Sequence, residues 1–247
     1  MAAKTPAANH LFAVNEDCEK LSEQLREKFH SIVAKLLYVA KRVRPDILTA
    51  ISFLSRRVRV ADMDDWKKLK RLLSYLNGSK HLKLRLTALS MNVIECYVDA
   101  SFAIHDDMKG HTGSIITMGG SKGAVFAKST KQRIVAKSST EAELVAVSDS
   151  LPQVIWTRNF LKEQGYDIPQ AILYQDNQSC IMLSEKGKTV SQRTRHINIR
   201  YFFIQDRVAT GEVKLVYKRT EDMLADFFTK PLQGSLFLKH RKDIMNE

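Results

Sequence analysis

Residues 92–99 read NVIECYVD. Ile94, Cys96 and Val98 alternate with Val93, Glu95, Tyr97 and Asp99, the period of two that sends neighbouring side chains to opposite faces of a strand. Downstream, Gly113 to Met118 and Ala124 to Ala127 predict two further short strands around Gly119-Gly120. A long helical pattern then runs from Thr140 to Gln164, with Leu144, Val147, Leu151 and Ile155 on one stripe. Ser138 and Glu141 offer a capping box at its start, Pro152 should kink or split it, and Gly165 stops it. Ala171 to Gln175 predicts a strand ending at Asp176. Helices follow over Gln178 to Lys186 and Ile197 to Ala209, then a strand over Glu212 to Lys218 and a last helix from Glu221 to Pro231. A three-strand meander followed by strands joined through helices predicts an α/β fold, a mixed sheet of five strands flanked by helices.

Upstream of this pattern the period changes to that of helices. Leu21, Leu25, Phe29, Ile32 and Leu36 line one side of an expected helix from Asp17 to Tyr38. Ile47, Ile51 and Leu54 recur after Pro45-Asp46. Asp62 is placed to cap a helix whose stripe is Trp66, Leu69, Leu72, Leu73 and Leu76. Asn77-Gly78-Ser79 marks its end. The chain therefore divides into a mainly helical segment, residues 1–90, and a mixed-sheet domain, residues 91–247.

The chain has 247 residues, 39 basic and 27 acidic, and a net charge of +12. The excess is uneven: residues 41–90 hold 13 basic and 4 acidic residues, while residues 91–247 hold 21 and 18. Such a stretch suits an anionic partner, nucleic acid above all, or forms a solvated basic face. No apolar run approaches about 18 residues, so no membrane span is expected. The first ten residues lack an apolar leader core. Cys18, Cys96 and Cys180 lie too far apart for a disulfide framework or a zinc site, which points to an intracellular compartment, cytoplasm or nucleus.

Four carboxylates sit at notable places: Asp99 closing the first strand, Glu141 opening the long helix, Asp176 closing the fourth strand and Asp226 in the last helix. Each alone has an ordinary explanation as a helix-dipole partner or turn residue. Gathered in one place they would repel one another, and hard divalent cations relieve that repulsion with oxygen ligands. Two such ions about 4 Å apart form the usual clamp for in-line displacement at phosphorus.

Six stretches occur in order: YVDASF (97–102), HTGSIITMGG (111–120), KSSTEAELVAVS (137–148), YQDNQSCIML (174–183), RTRHINIRYFFI (193–204) and LADFFTKPL (224–232). Together they resemble the RNase H domain of copia-type LTR retrotransposon polyproteins. Residues 36–56 and 66–84 resemble the connection between reverse transcriptase and RNase H in the same polyproteins. No Tyr-x-Asp-Asp word is present, and His105-Asp106-Asp107 falls in a loop, so polymerase activity is not expected.

The resemblance implies a ribonuclease H, an endonuclease that cleaves the RNA strand of RNA–DNA hybrids with two Mg2+ ions, Mn2+ being a substitute. The product would carry a 5′-phosphate. Asp99 would bridge both ions, Asp226 would help hold the one that activates water, and Glu141 with Asp176 would hold the other. Glu143 is a rival to Glu141, but two helix positions apart they face different ways. The family's Thr-Glu word selects Glu141. Ser139, Asn177, Gln178, Lys137, Arg195 and His196 are candidate substrate contacts, with helix capping as the alternative for several. Lys128, Lys131, Arg133 and Arg193 are further candidates for phosphate contact, and His105 and His111 are expected in surface loops. The partners implied are an RNA–DNA hybrid and a polymerase domain, with no membrane. An integrase-type nuclease would need its glutamate after the second aspartate, and here Glu141 precedes Asp176. The alternative is a catalytically silent nucleic-acid-binding remnant of the polyprotein.

Overall fold

A computed structural model describes residues 2–120, 122–186 and 195–247, the side chains of residues 186 and 195–197 excepted. It divides into two compact units, one of residues 1–85 with 230–247, the other of residues 86–229.

The first unit is helical. It holds α1 (Glu23–Arg42), α2 (Leu48–Arg57), α3 (Met63–Gly78) and, from the far end of the chain, α8 (Gly234–Met245). Asp62 caps α3 as its sequence predicts. Its carboxylate accepts from the backbone N–H of Asp64 and Asp65, while the Asp65 carboxylate accepts in return from the N–H of Asp62. Arg57 clamps both carboxylates at 2.7 and 2.9 Å. Deeper in, the Arg44 guanidinium lies against the Asp46 carboxylate, which also accepts from the Tyr75 hydroxyl at 2.6 Å. Burial first, then the neighbouring Asp46 charge, raises the Tyr75 phenol. Phe237 of α8 meets Tyr75 edge-on at 5.9 Å. The helix α8 was not foreseen, and it places residues 230–247 with this unit rather than with the sheet to which the 91–247 division assigned them. Its buried positions, Phe237, His240, Ile244 and Met245, keep helical spacing.

The second unit is built on a five-stranded sheet, β1 (Ile94–Ser101), β2 (His111–Met118), β3 (Phe126–Lys131), β4 (Ala171–Gln175) and β5 (Val213–Tyr217), in the order β3-β2-β1-β4-β5. The meander pairs antiparallel, whereas β4 joins β1 and β5 joins β4 in parallel. This is the mixed sheet that the strand and helix order predicts. Ile94, Cys96 and Val98 are buried in one core with Leu144, Val147 and Leu151 of α4 (Ser139–Glu163). The helix runs through Pro152 unbroken. The one backbone bond that proline removes is outweighed by a helix face buried along most of its length. Helices α5 (Gln178–Lys186) and α6 (Arg195–Ala209) follow.

The last predicted helix, Glu221 to Pro231, is instead a 3-10 turn, Thr220–Asp222, and a single-turn helix α7 (Asp226–Thr229). Pro231 lies two residues beyond, where it hinders extension. A Cβ at Gly113 of β2 would stand 2.7 Å from the Ala225 carbonyl oxygen and 2.7 Å from Thr229 Cγ2, so the bare glycine is the seat of α7. No helix among the described residues is long and apolar enough to cross a membrane.

Candidate metal centre

Strands β1 and β4 lie side by side and point the same way, so their carboxyl ends open at one place. Asp99 sits near the end of β1, directly across from Gly113, and Asp176 follows the last residue of β4. Helix α4 crosses β1 and brings a glutamate to the same place. Asp99, Glu143 and Asp176 each present an oxygen within 4.8 Å of the others.

The glutamate is Glu143, which reverses the preference for Glu141. Helix α4 opens at Ser138, whose hydroxyl accepts from the Glu141 N–H at 3.2 Å. The Glu141 carboxylate turns back to accept from the Lys137 N–H at 2.7 Å. It is therefore a capping group of its own helix and stays outside the cluster. Two positions on, Glu143 is buried and faces the sheet.

Each of the three carboxylates has a dedicated donor. Gln175 Nε2 donates to Glu143 at 3.0 Å, while Gln175 Oε1 accepts from the N–H groups of Asp176 and Asn177 at 2.7 and 2.9 Å. One side chain thus ties the end of β4 to α4. Thr220 Oγ1 donates to Asp176 at 2.8 Å. Thr229 Oγ1 donates to Asp99. Gln175, Thr220 and Thr229 are not singled out by the sequence, which weighs Glu143 only as the rival to Glu141. Burial first, then the charges of Asp99 and Asp176, raises the Glu143 carboxyl well above the ordinary range, against the Gln175 and Ala100 donors that lower it. A cluster of oxygen donors under this strain suits a hard divalent cation.

Asp226 opens α7 and is buried one turn before Thr229, but it does not join the three within that distance among the described residues. Of the other candidates, Asn177 Oδ1 accepts from the Cys180 N–H at 2.9 Å and caps α5. Lys137, Ser139 and Gln178 are exposed near the cluster in sequence. Lys128 points inward, donating to the Asp149 carbonyl at 2.8 Å, and burial lowers its pKa. Lys131 pairs with Asp107 at 2.6 Å. Arg133 is exposed. Arg193 and the side chains of Arg195 and His196 lie outside the described residues. His105 and His111, expected at the surface, are buried.

No protein-family model matches the chain. A search of curated proteins finds the Retrovirus-related Pol polyprotein from transposon TNT 1-94 of Nicotiana tabacum, 32% identical over 238 residues, 94% of this chain and 18% of that protein. The Secreted RxLR effector protein 161 of Plasmopara viticola is 32% identical over 127 residues, 51% of this chain and 88% of that protein. Among solved structures, the foamy viral protease-reverse transcriptase in complex with RNA/DNA hybrid is similar at 13% identity and a TM-score of 0.45, over 87% of this chain and 29% of that one. The chain spans under a fifth of the length of the Pol relative.

Proposed function

We propose that the sheet unit of this chain, whose relatives include retrovirus-related Pol polyproteins of transposons, is a ribonuclease H that cuts the RNA strand of RNA–DNA hybrids. The observation that carries the proposal is the cluster of Asp99, Glu143 and Asp176 within 4.8 Å at the shared end of two parallel strands. The oxygen-only donor set fits Mg2+ or Mn2+. Divalent ions held there by Asp99, Glu143 and Asp176, with Asp226 as the neighbouring fourth carboxylate, would supply charge to the scissile phosphate and lower the pKa of an attacking water.

The protein's own part is placement. Strand ends β1 and β4 are fixed by ladder hydrogen bonds, so Asp99 and Asp176 need little ordering when substrate arrives. Gln175 and Thr220 hold the carboxylates of Glu143 and Asp176 in one orientation. An RNA strand would be distinguished by its 2′-hydroxyls across a shallow minor groove, and exposed Lys137, Ser139 and Gln178 are the nearest polar groups proposed for that contact.

The test is cleavage of a labelled RNA–DNA hybrid with and without Mg2+. Wild type should cut the RNA strand only, leaving a 5′-phosphate, while Asp99→Asn and Glu143→Gln should not cut and Glu141→Gln should. Cleavage by Glu143→Gln at the wild-type rate would sink the assignment. A second reading rests on the relative named a secreted effector, matched along 88% of its length. There the same stretch stands outside a Pol polyprotein, and a chain used that way could bind hybrid without cutting. Wild-type protein that binds but never cuts would favour it.

A further inference from the structure

Two buried histidines lie outside the cluster of Asp99, Glu143 and Asp176. His105, in the loop after β1, and His111, first in β2, are 5% and 0% exposed. His105 Nε2 stands 3.0 Å from His111 Nδ1, and His111 Nε2 stands 2.8 Å from Ser129 Oγ of β3. Ser129 Oγ in turn donates to the Phe228 carbonyl at 2.7 Å. The direction of this chain is forced from its far end. A carbonyl only accepts, so the Ser129 hydroxyl spends its one proton on Phe228. His111 Nε2 must then donate to Ser129. With His111 neutral, its Nδ1 accepts from His105 Nε2. Four groups from the loop, β2, β3 and α7 are thereby joined in one hydrogen-bonded chain.

The far end of the chain is α7. Gly113 leaves room for this turn against β2, and Ser101 Oγ donates to the Thr229 carbonyl at 3.2 Å. Thr229, 0% exposed, gives its hydroxyl proton to Asp99. A donor fixed on one oxygen of a carboxylate restricts rotation about its Cβ–Cγ bond, and so sets where the other oxygen lies.

We propose that Thr229 is the positioning residue of Asp99, and that the His105–His111–Ser129 chain positions Thr229 by holding α7 on β3 and, through His111, on β2. The proposal rests on reading the cluster as a divalent-cation site. It assigns a task to the Thr in LADFFTKPL and to two histidines outside the cluster.

The experiment titrates Mn2+ into the full chain by calorimetry and measures hybrid cleavage against Mg2+ concentration beside it. Variants are Thr229→Val, Thr229→Ser and Ser129→Ala, with thermal melts to confirm folding. Thr229→Val should weaken cation binding about tenfold or more, while Thr229→Ser, which restores the hydroxyl, should stay within about twofold of wild type. The Mg2+ needed for half-maximal cleavage should rise in step, with KM for the hybrid unchanged. Ser129→Ala should shift both in the same direction by less. Thr229→Val binding Mn2+ as tightly as wild type would overturn the proposal. If Thr229→Val does not fold, Ser129→Ala decides: a lower melting temperature with wild-type cation affinity makes the chain merely structural and overturns it. A wild type that binds Mn2+ yet cuts no hybrid removes the ribonuclease reading, while the cation titration still decides the positioning role.

Discussion

The two units differ most in where they keep charge. The helical unit holds 22 basic and 11 acidic residues, a net +11, whereas the sheet unit holds 17 and 16, a net +1. In the helical unit the strongest polar contacts join opposite signs: Arg44 with Asp46, and Arg57 with Asp62 and Asp65. In the sheet unit the decisive contact is between like signs, three carboxylates held together by neutral donors. Paired charges stabilise a fold or leave a basic surface. Crowded like charges cost stability unless a bound cation or a retained proton relieves them. Net charge points to a class of partner. It is blind to the place where chemistry would occur, because a cluster of acids disappears in a nearly neutral sum.

The largest effect that would sharpen this contrast is on cleavage. Asp99→Asn or Asp176→Asn should drop hybrid cleavage to background. Replacing exposed Arg56, Arg59, Lys67 and Lys70 of the helical unit by neutral residues should leave kcat unchanged, read in single-turnover assays at saturating hybrid. Next comes the seat of α7. Gly113→Ala forces a methyl against Ala225 and Thr229, and such overpacking should cost about 1–3 kcal/mol in urea unfolding. Cleavage should fall with it, since Thr229 and Asp226 move together.

The like-charge cluster also makes a pH prediction whose sign is opposite to that of a salt bridge. The Glu143 carboxyl is raised in the folded chain, so the unfolded chain loses this proton first, near pH 4.3 for an ordinary glutamate. The stability tied to it is complete below about that pH and is lost as pH rises toward the folded value. Glu143→Gln should therefore melt above wild type at pH 7 in a chelator, with the gap closing near pH 4 and narrowing under Mg2+. Fluorimetric melts at the two pH values check it, and a variant that melts lower at pH 7 would break the contrast between the units.

The smallest effects belong to the basic surface and the helix cap. Neutralising the same four cations should flatten the salt dependence of hybrid binding by up to about 0.9 in slope for each phosphate they no longer neutralise. An unchanged slope would make them a solvated face. Glu141→Gln should cost only about 0.3–1 kcal/mol, the value of a charge at a helix N-terminus.

The sheet was legible because its signals are local. Alternation in NVIECYVD and the apolar run before Asp176 place β1 and β4, and Asp62 announces α3 by its own chemistry. Legibility failed where two uses competed for one residue type. Glu141 and Glu143 both fit a carboxylate on α4, and a motif word favoured the first. The capping position was the available counter-signal, because a glutamate three residues after a capping serine has its carboxylate committed to backbone. Gln175, Thr220 and Thr229 are uncharged and matter only through distances between segments, which no spacing encodes. The histidine pair looked like loop residues since His105 follows a strand. Its burial depends on β3 and α7 closing over it.

The path of the chain bears on how the protein is made. The helical unit is assembled from residues 1–85 and 230–247, with all of the sheet unit between them. On the ribosome the sheet unit is complete before α8 emerges, so the second unit in sequence can finish folding first. Until then Tyr75 lacks Phe237 and the helical unit stands open. A chain stopped after Thr229 would keep every carboxylate of the cluster and still leave its basic unit unfinished.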